Sequence, residues 1–227
     1  MNREIKFILL FVPFLLFALA LGVVTKRSWI DNLDANAQIQ AGDTRYLNLS
    51  DDEEYERGYL TPDAADEDSL KEVSEYILKV ELNGKRINFC QSILSQVKVL
   101  QVYKDKDDIL PGDEVIVYEP CSFRYDMLYY SLGGYNIMQE GKQYLLFLRY
   151  VGKSHLNPGQ KGLVPVNAKF SKFEVSETEK GTLLDMQKVR AETLSYTDIE
   201  NWEILTDKPD ILEHYFALKG KLLQSYP

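Results

Sequence analysis

Cys90, Cys121, His155 and His214 are the side chains of this chain best suited to nucleophilic or metal chemistry, and no other cysteine or histidine is present. A thiol nucleophile needs an imidazole within hydrogen-bond reach to take its proton. His155 falls in a Gly/Pro-rich loop and His214 in an amphipathic C-terminal segment, so both read as ordinary surface positions. A structural zinc site needs short ligand spacings, and these four residues are scattered. Ser95-Gln96-Val97-Lys98 spells a Ser-x-x-Lys pair; that pair works on a helix, whereas in a strand positions i and i+3 point to opposite faces. Gly152-Lys153-Ser154 lacks the upstream glycine of a phosphate-binding loop. The runs Asp51-Asp52-Glu53-Glu54 and Asp63-Ala64-Ala65-Asp66-Glu67-Asp68 offer oxygen ligands without the register of a calcium loop. The expectation is a protein that is not an enzyme and uses no metal or cofactor.

Two features could serve binding or covalent bracing instead. Outside the cytoplasm Cys90 and Cys121 form a candidate disulfide, although the register of the strands between them leaves the pairing open. Phe123, Tyr125, Tyr129, Tyr130 and Tyr135 form a candidate binding surface, because tyrosine supplies contact area at low entropic cost. The alternative is that these rings fill the mouth of a barrel.

Charge is unevenly distributed. The net charge of -9 divides into +3 over residues 1–30, -11 over 31–75 and -1 over 76–227. No basic stripe is present to displace counterions from phosphates, which argues against nucleic acid as a partner. Residues 7–24 carry no charge and are flanked by Arg3 and Lys6 on one side and Lys26 and Arg27 on the other. At ~1.5 Å per residue this run reaches ~27 Å, the thickness of a bilayer's hydrocarbon core. The expectation is a single-pass signal-anchor in the cell membrane with the C-terminal domain extracytoplasmic; the alternative is a secreted protein released by cleavage after Gly22. Residues 25–68 read as an acidic stalk held open by repulsion, in which Tyr46, Leu47, Leu49, Tyr55, Tyr59 and Leu60 could pack onto the domain. The domain itself is expected over 69–227.

Within the domain, residues 73–82 read as a strand running into an Asn83-Gly84 hairpin turn. Residues 93–103 and 114–119 read as strands joined by a turn at Leu110-Pro111-Gly112-Asp113. Residues 143–151 are almost continuously apolar and predict a central strand covered on both faces. Residues 163–175 add strand material, and 182–194 hold a short helix. Leu212, Tyr215, Phe216, Leu222, Leu223 and Tyr226 recur at threes and fours, predicting an amphipathic helix over 209–226 with Pro209 in its first turn. The fold class is mainly β (α+β): a small OB-like Greek-key β-barrel with a C-terminal helix, preceded by one transmembrane helix.

The run Val97-Lys98-Val99-Leu100-Gln101-Val102-Tyr103-Lys104, then Leu110-Pro111-Gly112-Asp113-Glu114-Val115, Gly133-Gly134, and Glu140-Gly141-Lys142-Gln143-Tyr144-Leu145-Leu146-Phe147-Leu148 resembles the netrin-like domain, the fold of the tissue inhibitors of metalloproteinases. The likeness spans residues 73–175 and implies an OB-like barrel that binds proteins at an extracytoplasmic location. Those inhibitors chelate the enzyme's zinc through an N-terminal cysteine, which this chain lacks, so the likeness implies the fold without the inhibitory mechanism. The expected function is a membrane-anchored protein-binding domain with an envelope or extracellular protein as partner. The alternatives are an inhibitor or immunity factor against a protease or toxin, and a hydrolase with an unrecognised site.

Overall fold

The computed structural model describes residues 11–23, 25, 34–40, 45–124 and 127–227, in two units, Met1–Asp34 and Ala35–Pro227. In the first unit residues 11–23 form helix α1, whose side chains are all exposed, Phe14 and Phe17 among them. Positions 7–10 and 24 of the expected span lie outside the described residues. Among the described residues no helix is long and apolar enough to cross a membrane.

The described part of the acidic stretch expected to be a stalk folds instead, residues 26–33 and 41–44 lying outside the described residues, and the body begins well before residue 69. It contributes helix α2 (Ala35–Gln40), strand β1 (Tyr46–Ser50), helix α3 (Glu53–Tyr59) and the start of helix α4 (Glu67–Val73). Its few apolar residues explain this, because Leu47, Leu60, Ala64 and Leu70 are all buried. Part of its acidity is helix-start chemistry. The Asp66 carboxylate accepts the Ser69 N–H at 2.9 Å as the N-cap of α4, and Glu67 and Asp68 sit in the first turn, where the helix dipole favours negative charge.

The strand expected over residues 73–82 forms from Tyr76 on, but the turn is displaced. Strand β2 (Tyr76–Phe89) runs through Asn83-Gly84 with a register shift between Leu82 and Arg86, and the chain reverses at Cys90-Gln91 into strand β3 (Ser92–Lys104). A β-bulge can use the positive φ of Gly84 as well as a hairpin can. β3 pairs antiparallel with strand β4 (Glu114–Glu119) across the expected Pro111-Gly112 turn.

After β4 come strands β5 (Cys121–Phe123), β6 (Leu128–Leu132), β7 (Gln143–Lys153), β8 (Lys161–Pro165) and β9 (Lys172–Glu174). The strands β2, β3, β4, β8 and β7 lie in that order, and β7 pairs back onto β2, so five strands close into a ring. The one parallel contact in the ring joins β4 to β8; β9 extends the sheet beside β7. Tyr76, Leu78, Val80, Val97, Val99, Val115, Val117, Leu146 and Leu148 fill the interior.

The other face of the same strands is buried too. Leu145 and Phe147 pack with Phe173 and with Tyr215, Leu218 and Leu222 of helix α7 (Pro209–Ser225). Thus the expected two-sided burial holds for residues 144–148, whereas Tyr150 and Val151 are exposed, and Pro209 occupies the first turn of the expected helix. Two further helices, α5 (Met186–Arg190) and α6 (Tyr196–Ile199), precede α7. The body is a mixed α+β fold dominated by sheet, with one sheet ring-like.

A second sheet has the order β1-β6-β5, with β1 parallel to β6. It is tied to the ring by Asn88, whose side-chain amide imitates a strand neighbour: its Nδ2 donates to the Phe123 carbonyl, and the Phe123 N–H donates to its Oδ1 at 3.1 Å. The turn after β6 requires glycine. Gly134 has φ +85°, and a Cβ there would lie 2.2 Å from the carbonyl oxygen of Leu205.

Candidate functional site

The aromatic residues expected to form a binding surface are mostly core. Phe123, Tyr129 and Tyr135 are no more than 4 % exposed, and all three belong to the apolar cluster beneath the second sheet. Phe123 in β5 and Tyr129 in β6 face inward on strands too short to show a period, and Tyr135 follows in the turn after β6. Tyr125 lies outside the described residues. Tyr130, half-buried, is the member of the set that reaches a cavity.

Polar atoms brought in with the rings are satisfied internally. The Tyr129 hydroxyl donates to Asn136 Oδ1 and accepts the Ile137 N–H, each at 2.9 Å. The Tyr135 hydroxyl donates to Glu119 Oε2 at 3.1 Å, and the same oxygen accepts the Met138 N–H at 2.7 Å. Ser95 donates to the other oxygen of Glu119, so the Ser of the Ser-x-x-Lys spelling is buried while Lys98 is exposed on the opposite face. The Lys172 ammonium lies over the rings of Tyr135 and Tyr144 at 4.8 and 5.3 Å. Burial lowers its pKa despite the opposing pull of Glu119 and Glu203. This cluster holds the core together in a particular arrangement and is closed to solvent.

The cysteines do not pair. Cys90 sits exposed at the tip of the β2–β3 hairpin with φ +56°, and Cys121 is fully buried in β5. Burial, and then the Glu119 carboxylate, push the Cys121 thiol well above its ordinary pKa. In the native full-length protein a maleimide should therefore label Cys90 within minutes and Cys121 only after denaturant is added, as read by peptide mass spectrometry. Equal labelling of both thiols would contradict the burial of β5.

The hairpin tip opens onto a cavity of about 510 Å³. Its walls come from four places distant in sequence: Tyr59 and Leu60 at the end of α3, Cys90 to Ser92 at the hairpin, Tyr130 and Leu132 of β6, and Arg149, Val151 and Lys153 of β7. Gly58, Tyr118, Pro120, Val164 and His155 complete it. Arg149 donates to the Tyr59 carbonyl, which joins α3 to the ring of strands. The His155 ring stacks on Phe89 with centroids 4.8 Å apart, and its backbone N–H donates to the Tyr118 hydroxyl at 3.0 Å.

The structure thus brings Cys90 and His155 to one cavity, a juxtaposition that their positions in sequence conceal. Among the described residues no hydrogen bond joins thiol to imidazole, the ring is held flat against Phe89, and no carboxylate lines the cavity to orient it. His214 is remote from this arrangement, with Nε2 against the Ala65 carbonyl at 2.6 Å and its ring on the edge of Phe170. Nor do three or more Cys, His, Asp or Glu side chains gather as a metal site among the described residues.

What the cavity offers is contact. Tyr59 is 58 % exposed and Val151 49 %, both large apolar side chains at its rim. Sequence reasoning passed over Arg149, Val151 and Lys153, which reach the cavity from β7 across a register shift between Tyr150 and Gly152 that breaks simple alternation. The chain matches no known protein family, and no curated protein matches it either.

Proposed function

We propose that this chain is a membrane-anchored, extracytoplasmic, non-enzymatic binding domain that holds another envelope or extracellular protein at the cavity between the β2–β3 and β7–β8 hairpins. The uncharged run at residues 7–24, flanked by cations, supports the anchor. A five-stranded ring in which neighbours along the chain pair antiparallel and one crossover pair runs parallel supports a Greek-key barrel of the OB type. The netrin-like resemblance points to the same fold and to protein binding.

The observation that carries the proposal is the cavity itself. It combines an apolar floor with exposed apolar side chains at the rim and polar groups few enough to set orientation, the composition of a binding pocket. Its walls carry no nucleophile paired with a base. Cys90, exposed at the lip, provides the means of testing it. Full-length protein carrying a photo-crosslinker on Cys90 should capture one predominant partner in the cell envelope, and Val151→Asp should abolish that capture while leaving the melting temperature within a few degrees. Capture that is indifferent to Val151→Asp, or no capture at all, would remove the cavity as the binding site.

A further inference from the structure

Burying a carboxylate is unfavourable unless hydrogen bonds replace the water it loses. Among the described residues four are buried, Glu56, Glu119, Glu174 and Glu203. Three of them meet that requirement: Glu119 accepts from Ser95 and the Met138 N–H, Glu174 from Lys180, and Glu203 from Lys219. Glu56, 1 % exposed, accepts a hydrogen bond on neither oxygen. Its carboxylate lies against the backbone of Gly133, where a Cβ would stand 3.2 and 3.3 Å from the two oxygens, and the Gly133 N–H already donates to the Ser50 carbonyl at 2.8 Å. Its one charge partner among the described residues is Lys169, 3.6 Å from Oε2, too long for a hydrogen bond and shared with Asp51 at 3.5 Å.

That carboxylate is what α3 turns inward. Of the side chains described on this helix, Glu54, Arg57 and Tyr59 are exposed and Glu56 alone is buried. A helix of seven residues does not persist by itself in water, and an apolar face normally holds it to the body. Both flanks of α3 are fixed. Ser50 ends β1 and is held by the Gly133 N–H; on the other side Asn167 Nδ2 donates to the carbonyls of Thr61, Pro62 and Ala64, and the Thr61 N–H donates to Val166. Between these anchors the end of the helix, Gly58 and Tyr59, stands in the wall of the cavity. The contacts across it include Arg149 on the Tyr59 carbonyl and an exposed Arg57–Asp63 pair at 2.5 Å, a kind of pair that contributes little in water. We infer that α3 is a gate on the cavity, which Lys169 holds shut and which the Glu56 carboxylate, rehydrated when the helix lifts, drives open. What the gate admits rests on the cavity being a partner site; its motion does not.

The test needs no partner. In full-length protein in detergent micelles the hydrogen-bonded amides of Glu56 and Leu60 should exchange with deuterium at least about a hundredfold faster than those at the centre of α7, because the helix opens locally. Glu56→Met should slow them at least about tenfold and leave α7 unchanged, since it removes the buried charge. Lys169→Met should speed them at least about tenfold, and the double variant should return to the slow rate, because Lys169 acts through the Glu56 carboxylate. Whether the motion reaches the cavity is read by bimane on Cys90 in protein carrying Tyr59→Trp, since indole quenches bimane on contact. Lys169→Met should relieve that quenching, and adding Glu56→Met should restore it. Exchange in α3 no faster than in α7, rates indifferent to Glu56→Met, a Lys169→Met effect that the double variant does not reverse, or emission that ignores Lys169→Met would each overturn the gate. A gate that responds as expected while capture through Cys90 fails would remove the proposed function alone. Intact capture beside a rigid α3 would remove the gate alone.

Discussion

Tyr129→Ala should leave no folded body at 37 °C. The ring is fully buried, packed against Phe123 at 5.2 Å and Tyr196 at 4.9 Å between centroids. Truncating an aromatic core side chain costs about 3–5 kcal/mol in transfer and cavity energy. Removing the hydroxyl also takes one of two donors from Asn136 Oδ1 and one of two acceptors from the Ile137 N–H, which still bond each other, at about 0.5–1.5 kcal/mol for each hydrogen bond lost. Against a total stability of about 5–15 kcal/mol the sum is most of what is available. Tyr129→Phe should lose only the hydroxyl's share and stay folded, so urea denaturation of the two variants separates ring from hydroxyl. If Tyr129→Ala folded normally and only partner binding fell, the side chain would belong to a surface after all.

Lys219→Met should cost about 3–5 kcal/mol, the effect of breaking a buried ion pair from one side. Lys219 and Glu203 are 4 % and 2 % exposed and meet at 2.7 Å beneath α7. Glu203 also accepts the Glu174 N–H at 3.3 Å, the Lys180 N–H at 3.4 Å and the Tyr215 hydroxyl at 3.4 Å. Without the ammonium that carboxylate is a buried charge held by weak, neutral donors. Lys219→Met combined with Glu203→Gln removes the charge but retains an acceptor, and should recover about half of the loss, since much of the penalty is the stranded charge rather than the missing pair. Thermal melts of the two single variants and the double variant give the coupling directly. Independent, additive effects would show that the pair is not coupled.

The contrast between these residues and the rest of the fold explains what could be read from the chain beforehand. Residues 144–148 and the stripe of Tyr215, Leu218 and Leu222 announced themselves because one physical requirement, burial, set those side chains. Lys219 did not, since a lysine inside an apolar helical stripe reads as solvated until its partner is seen, and Glu203 is contributed by a loop. Asn83-Gly84 predicted a turn and produced a bulge, because the positive φ that Gly84 relieves serves either. That displacement moved Cys90 from a strand approach to a hairpin tip and removed the basis for pairing it with Cys121. Asp66-Glu67-Asp68 was read as part of a repulsive run when it was the start of a helix, a signature that a search for N-caps would have found. The cavity was the least legible part. Arg149, Val151 and Lys153 come from one strand whose register shift between Tyr150 and Gly152 hides their convergence, and Tyr59, Cys90 and Tyr130 join them only through closure of the ring and addition of β1 to β6.

The closure of the ring also sets an order of events. Tyr76 pairs with Leu148 and Val80 with Tyr144, so the seam between β2 and β7 joins parts of the chain more than sixty residues apart. The cover over Leu145 and Phe147 comes from Tyr215, Leu218 and Leu222, close to the C-terminus. Loop-closure entropy must be met before such contacts return anything, which places this topology among the slow folders. A chain made from its N-terminus forms the β2–β3–β4 meander early and then waits with Val80, Val97 and Val117 exposed until β7 arrives. Its exposure to aggregation is therefore greatest midway through synthesis, and destabilising the early meander should lower yield more than equilibrium stability alone accounts for.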